Sequence, residues 1–111
     1  MSVQRGEIVE VSFPLPGGSK NHPTLVISNS QVFLDEGCFI GVMLSGSTAI
    51  DNYSFELEDD HFSKRPKKRT QVRCHLIALI EERDIISRHG RLNRPIVNQI
   101  AEKICAEILS D

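Results

Sequence analysis

From Glu7 onward polar and apolar residues alternate, Glu7, Ile8, then Glu10, Val11, Ser12 and Phe13, with one slip at Val9. A period close to two predicts a half-buried strand over residues 5–13. Residues 14–21, P-L-P-G-G-S-K-N, are turn chemistry and end it. Residues 23–28 form a short β-branched run, a second predicted strand. Residues 29–37 read as a connection, with a helical turn compatible around 31–34. The run C-F-I-G-V-M-L at 38–44 is apolar on both faces, which predicts a central third strand. A polar loop at 45–52 precedes a cleanly alternating fourth strand, 53–58. Residues 70–75 and 76–80 both read as strand with a bend between them, and 83–92, containing His89-Gly90, reads as a connection. The last segment is helical: Asn93 is a fitting N-cap, Pro95 falls in the first turn, and Val97, Ile100, Ala101, Ile104 and Ile108 recur at three and four residues.

Five or six short strands and one C-terminal helix predict a mainly β fold, a strongly bent sheet or partly open barrel with a packed helix. The 111 residues are expected to form a single domain, 1–111, because two halves would be too small to bury a core each. With five Phe, one Tyr and no Trp, that core must be built mainly of Ile, Val and Leu. No apolar run approaches the roughly 18 residues that span a bilayer, and the N-terminal residues lack a signal-type apolar stretch. A soluble, cytoplasmic protein without a membrane association is the expectation. Cys38, Cys74 and Cys105 form no Cys-x-x-Cys pair, which excludes a zinc ribbon or thioredoxin-type motif, and their odd number fits a reducing compartment.

The formal charge of -2 hides an asymmetry. Residues 1–63 carry a net -7, residues 64–94 a net +7, and residues 95–111 a net -2. The densest positive stretch is Lys64-Arg65-Pro66-Lys67-Lys68-Arg69. Such a cluster neutralises phosphates and releases counterions; it is equally the composition of a solvated loop held open by its own repulsion.

There is no phosphate-binding glycine motif and no His-x-x-x-His. Asp59-Asp60 beside His61 offers carboxylate and imidazole but no evident third and fourth metal ligand, so neither metal nor cofactor is expected. What remains suits phosphate chemistry. Arg73 and His75, two apart on a predicted strand, share a face, with Cys74 on the other. Arginine matches a phosphate with a rigid fork, and histidine exchanges protons near neutrality. Pairing of this face with Glu56 or Glu58 is the plain structural alternative. Ser45-Gly46-Ser47-Thr48 supplies hydroxyls and amides at a strand end, an anion cradle or simply a turn.

Taken in order, R-G-E-I-V-E-V at 5–11, a Gly-bearing loop, H-P-T-L-V-I-S at 22–28, V-M-L-S-G-S at 42–47 and Q-V-R-C-H at 71–75 resemble the toxin family of MazF, PemK and Kid, endoribonucleases of bacterial toxin–antitoxin modules. The resemblance covers nearly the whole chain. It implies an SH3-like barrel with a C-terminal helix, a two-fold homodimer, and metal-independent cleavage of single-stranded RNA through a 2′,3′-cyclic phosphate. It also implies a cognate antitoxin whose acidic tail occupies the RNA groove. Carried over by position, the catalytic candidates are Arg73, His75, Ser45 and His22. The RNA-binding candidates are Lys64, Arg65, Lys67, Lys68, Arg69, Ser47 and Lys20. Three positions depart from the family: His22 stands where many members have a catalytic Arg, His75 where one branch has Asp, and Ser45 where Thr is usual. Neutral imidazole is a competent base, but losing a permanent cation at position 22 puts transition-state stabilisation on Arg73. A weakened member that binds RNA or an antitoxin, and a gyrase-poisoning toxin of the same fold, are the alternative readings.

Overall fold

The structure, a computed structural model, describes residues 3–111; Met1 and Ser2 of the expected 1–111 domain lie outside the described residues. Its strands are β1 (Glu7–Phe13), β2 (Lys20–Val26), β3 (Cys38–Ser45), β4 (Ser54–Leu57), β5 (Thr70–Glu81) and β6 (Ile85–Arg91). Helix α1 (Ser30–Glu36) links β2 to β3, and α2 (Arg94–Lys103) follows β6. One antiparallel sheet runs in the order β4-β5-β3-β2-β1-β6, so the doubly apolar β3 lies inside it, as its pattern predicts.

Both faces of this sheet are covered. Ile8, Leu25, Val42, Leu44, Val72 and Cys74 pack against Ile96, Val97, Ile100 and Ile104 of the C-terminal helical segment. On the other face Val9, Val11, Phe13, Val26, Phe39 and Met43 form a second cluster, closed by Phe33 of α1. The apparent slip at Val9 is therefore no irregularity: Ile8 and Val9 are both buried because each serves a different cluster. The molecule extends 34, 34 and 31 Å along its principal axes, so the sheet curls rather than lying flat. The segment after β4 reaches the end of β6. Phe62 bridges to Leu92, Ser63 N–H donates to the Arg91 carbonyl (2.8 Å) and Asn93 N–H to the His61 carbonyl (2.9 Å). Gly90 allows this close approach. Its φ of +86° suits glycine, and a Cβ there would lie 2.7 Å from Ser63 Oγ.

Two elements differ from the sequence expectation. The connection at 83–92 contains β6, a half-buried edge strand whose residues I-I-S-R-H-G-R show no clean alternation. The connection at 29–37 holds a full seven-residue helix, α1, capped by the Asn29 side chain on Val32 N–H and ended by Gly37 at φ +70°. The helix after Asn93 forms as its stripe predicts, with Asn93 Oδ1 accepting from Ile96 N–H (3.0 Å). Its last turn widens at Ile104–Ile108, where Leu109 N–H reaches back five residues to the Ile104 carbonyl (2.9 Å). No helix of the described residues is long and apolar enough to cross a membrane.

Candidate active site

The predicted bend in the fifth strand is a bulge. Val42 pairs with Ile77 and Leu44 with Val72, so residues 73–76 of β5 lie opposite Met43 alone. Such an irregularity re-aims side chains. Cys74 stays in the core beneath the C-terminal helical segment, fully buried, and burial pushes its thiol up to about 11, which makes it an inert packing group. Arg73 and His75 leave the core on the other side of the backbone. The two half-strands at 70–80 are thus one strand whose irregularity carries both candidates.

Arg73 is largely enclosed, its side chain 14% exposed. Its guanidinium meets Asp51 end-on, Nη1 to Oδ1 at 3.2 Å and Nη2 to Oδ2 at 3.0 Å, and Nη1 also donates to Gln71 Oε1 at 3.0 Å. The acid that pairs with Arg73 is therefore Asp51 in the β3–β4 loop, rather than Glu56 or Glu58 on the neighbouring strand. Glu56 takes Arg69 instead, and Glu58 N–H donates to His61 Nδ1. Hydrogen bonds from Arg73 and from Tyr53 N–H hold the Asp51 carboxyl down at about 2. Gln71, 2% exposed, turns its amide the other way, donating to the Ser47 and Ala49 carbonyls at 2.7 and 2.8 Å. It ties the loop to the strand.

His75 is exposed and lies against the Tyr53 ring, centroids 4.3 Å apart and planes tilted by 33°. Partial desolvation and the Arg73 charge lower its pKa below the ordinary 6.5, against a smaller opposing pull from Asp51. Its neutral form dominates at pH 7, the form that accepts a proton. Ser45 pairs with Gln71 and so shares the face of Arg73. Its Oγ accepts from Ser47 N–H (3.1 Å), and its own O–H has no acceptor among the described residues. Ser47 repeats the turn, its Oγ accepting from Ala49 N–H (3.1 Å). His22 lies on β2 opposite Val11 of β1, two residues past the last β2–β3 pair, Thr24 with Met43. Buried Thr24 donates to the His22 carbonyl (3.2 Å).

The basic loop crosses the same end of the sheet. Lys68 lies over Gly46, its Cε 3.6 Å from where a Cβ would stand. Lys68 also borders, with Lys64, Arg65 and Lys67, a cavity of about 510 Å³ floored by Ile8, Pro23 and Leu44, on the face opposite Arg73. Arg69 is held by Glu56, while the other four cations of the loop make no ion pair among the described residues. Lys20 is exposed at the start of β2, two residues from His22. The carboxylates near His61 do gather: ligand atoms of Glu58, Asp60 and His61 lie within 4.8 Å of one another. Glu58 and His61, however, cap each other's backbone in a short turn. Asp51, Gln71 and Tyr53, which the structure sets beside Arg73 and His75, are not among the candidates the sequence offers. Asp51 and Asn52 fall in the polar loop, and Tyr53 reads only as the first apolar position of the fourth strand.

The sequence profile described as PemK-like, MazF-like toxin of type II toxin-antitoxin system matches residues 4–108. Among solved structures, MazF (Form-I) from Deinococcus radiodurans superposes with a TM-score of 0.80 at 13% identity, covering 99% of each chain. An endoribonuclease in complex with its cognate antitoxin, from a Mycobacterial species, gives 0.77 at 15% identity, covering 99% of this chain and 98% of that one. The Mycobacterium tuberculosis toxin MazF-mt6 gives 0.75 at 15% identity, with 95% and 98% covered. No curated protein matches by sequence.

Proposed function

The chain belongs to the PemK-like, MazF-like toxins of type II toxin–antitoxin systems, and on that premise we propose that it is an endoribonuclease that cleaves single-stranded RNA without a metal. The observation that carries this reading is the bulge in β5. It presents an arginine fork and a neutral histidine side by side, next to the free hydroxyl of Ser45. The neutral His75 imidazole takes the proton of a ribose 2′-hydroxyl. The O2′–P bond forms, and Arg73 holds the charge that gathers on the phosphorane oxygens. Ser45 donates to one of those oxygens, and His22 flanks the same phosphate. The P–O5′ bond then breaks, and the 5′ oxygen leaves as a hydroxyl with a proton from water, while Arg73 keeps its charge throughout. A 2′,3′-cyclic phosphate remains.

The strand of RNA crosses the end of the sheet, its backbone held by Lys20, Ser47, Lys64, Arg65, Lys67, Lys68 and Arg69 without base readout. The relative solved with its cognate antitoxin supports a like partner here, with an acidic tail that competes for the same cations. The working unit is a homodimer in the cytoplasm, where the free thiols of Cys38, Cys74 and Cys105 stay reduced.

Incubation of the purified protein with single-stranded RNA in EDTA tests the proposal. Cleavage with 2′,3′-cyclic phosphate and 5′-hydroxyl ends, lost in Arg73→Ala, is the expected result. Binding with no cleavage of any RNA overturns it in favour of a binding module. Light scattering at micromolar concentration that finds only the 12.5 kDa monomer removes the dimer from the reading.

A further inference from the structure

We propose that Asp51 is a positioning residue of this site: with Gln71 it takes up three of the five N–H donors of Arg73 and leaves the Nε–Nη2 edge, a two-pronged fork, for an RNA phosphate. The inference rests on Arg73 as the group that holds the phosphate.

A guanidinium has two edges able to grip a pair of oxygens, end-on through Nη1 and Nη2 and side-on through Nε and Nη2. Asp51 fills the end-on edge with both carboxylate oxygens. Gln71 Oε1 takes the remaining hydrogen of Nη1. Two donors are left, on Nε and Nη2, and they lie parallel on the side-on edge. That edge reaches solvent. Among the described residues no buried side-chain nitrogen or oxygen lacks a partner, and Nε of Arg73 has no partner, so it is not buried. The side chain as a whole is 14% exposed, and the unbonded Nε is part of what stays accessible.

Asp51 can hold this orientation because it is itself held. Its Oδ1 accepts from Tyr53 N–H at 2.9 Å and from Ser54 Oγ at 3.0 Å. The Gln71 amide pins the loop twice through the Ser47 and Ala49 carbonyls. Arg73, Asp51, the loop and Gln71 therefore close a ring of hydrogen bonds that removes the rotamer freedom of a long side chain before substrate arrives. A fork fixed in advance gives up little entropy on meeting the phosphate. Asp51 also balances the charge of an enclosed guanidinium at rest, and the phosphate enters on the edge that the carboxylate does not face.

The groups around His75 are Arg73 on its own strand, Asp51 in the loop and the Tyr53 ring against it. Removing the Asp51 charge leaves the Arg73 cation unopposed at His75, so the acid limb of the rate profile shifts to lower pH. A purely structural role for the loop does not move that limb in an isosteric variant.

The test compares the full chain with Asp51→Ala, Asp51→Asn and Arg73→Ala on one cleavable RNA oligonucleotide. Arg73→Ala is expected to lose about 10²-fold or more in kcat. Asp51→Ala is expected to lose about tenfold in kcat with KM changed by less than about threefold, the mark of lost orientation rather than lost binding. Asp51→Asn keeps the acceptor for Tyr53 N–H and one Arg73 bond, so it guards against a loop that fails to fold. It is expected to lose less in kcat and to show the downward shift of the acid limb. An Asp51→Ala protein as fast as or faster than wild type, or an Asp51→Asn limb that stays in place, overturns the inference while an inactive Arg73→Ala keeps the site reading intact. An Arg73→Ala protein at wild-type rate removes the site reading itself, and this inference with it.

Discussion

The pH profile of kcat/KM reads the protonation state of the base in the free enzyme, and the base proposed here is His75. Desolvation and the Arg73 charge hold its pKa below 6.5, and Asp51 pulls back only in part. Protonation inactivates an imidazole base, so the acid limb is expected below pH 6.5, following a single proton and falling tenfold per unit. Asp51, with its carboxyl at about 2, stays ionised throughout this range, so the bridge to Arg73 is intact while His75 titrates. A histidine whose pKa is depressed by folding contributes stability above its unfolded value and loses it as pH falls through the folded one. His75 is solvent-exposed, so that loss is small, and circular dichroism is expected to show a folded protein across the limb. His75→Ala should lose at least about 10²-fold in rate, roughly 2.7 kcal/mol of transition-state stabilisation. His75→Asp should keep activity and carry the limb toward the carboxylate range, about pH 4. A wild-type limb already near pH 4, or a His75→Asp profile that overlays the wild type, refutes His75 as the base.

Reversing the charge of Lys64, Arg65, Lys67 and Lys68 together should flatten the salt dependence of single-stranded RNA binding by up to about 3 in log–log slope, at about 0.7 per phosphate contact; fluorescence anisotropy across a salt series measures it. Arg69, held by Glu56, should change that slope least of the five. Gly90→Ala should destabilise by roughly 1–3 kcal/mol, because alanine at φ +86° is strained and its Cβ meets Ser63 Oγ; a urea melt with unchanged m-value reads it. Gln71→Leu frees the Ser47 and Ala49 carbonyls and Arg73 Nη1 at once, and should cost about 1–3 kcal/mol in the same melt together with a fall in kcat; unchanged stability with full activity shows the loop needs no such anchor.

The elements legible in the sequence are those in which one face is dry and the other wet, or in which both are dry. β3 announces itself because seven apolar positions in a row suit only a covered strand, and α2 because its stripe and the Asn93–Pro95 start agree. β6 fails both tests. It lies at the edge of the sheet with most residues half-exposed, and it is bent by Gly90, so its burial follows neither period. The segment that meets its end, residues 61–63, is not a strand and pairs through one bridge and a few hydrogen bonds that no pattern encodes.

The site divides along the same line. Arg73 and His75 are candidates because alternation sets them two apart on one predicted strand; in the structure both lie in the stretch where the β3–β5 register breaks. Asp51 was invisible because the distance from residue 51 to residue 73 along the chain is bridged by a loop, and a loop has no period from which a direction can be read. What decides its direction is Gln71. A buried glutamine inside a strand has an amide to satisfy, and the carbonyls it finds at Ser47 and Ala49 fix the path of the loop. Two residues beyond those carbonyls the chain reaches Asp51, opposite Arg73. The one sequence signal pointing toward Asp51 is therefore a polar residue at position 71 in a strand otherwise bound for the core. Read as a demand for partners, it calls for a loop folded back over the strand beside Arg73.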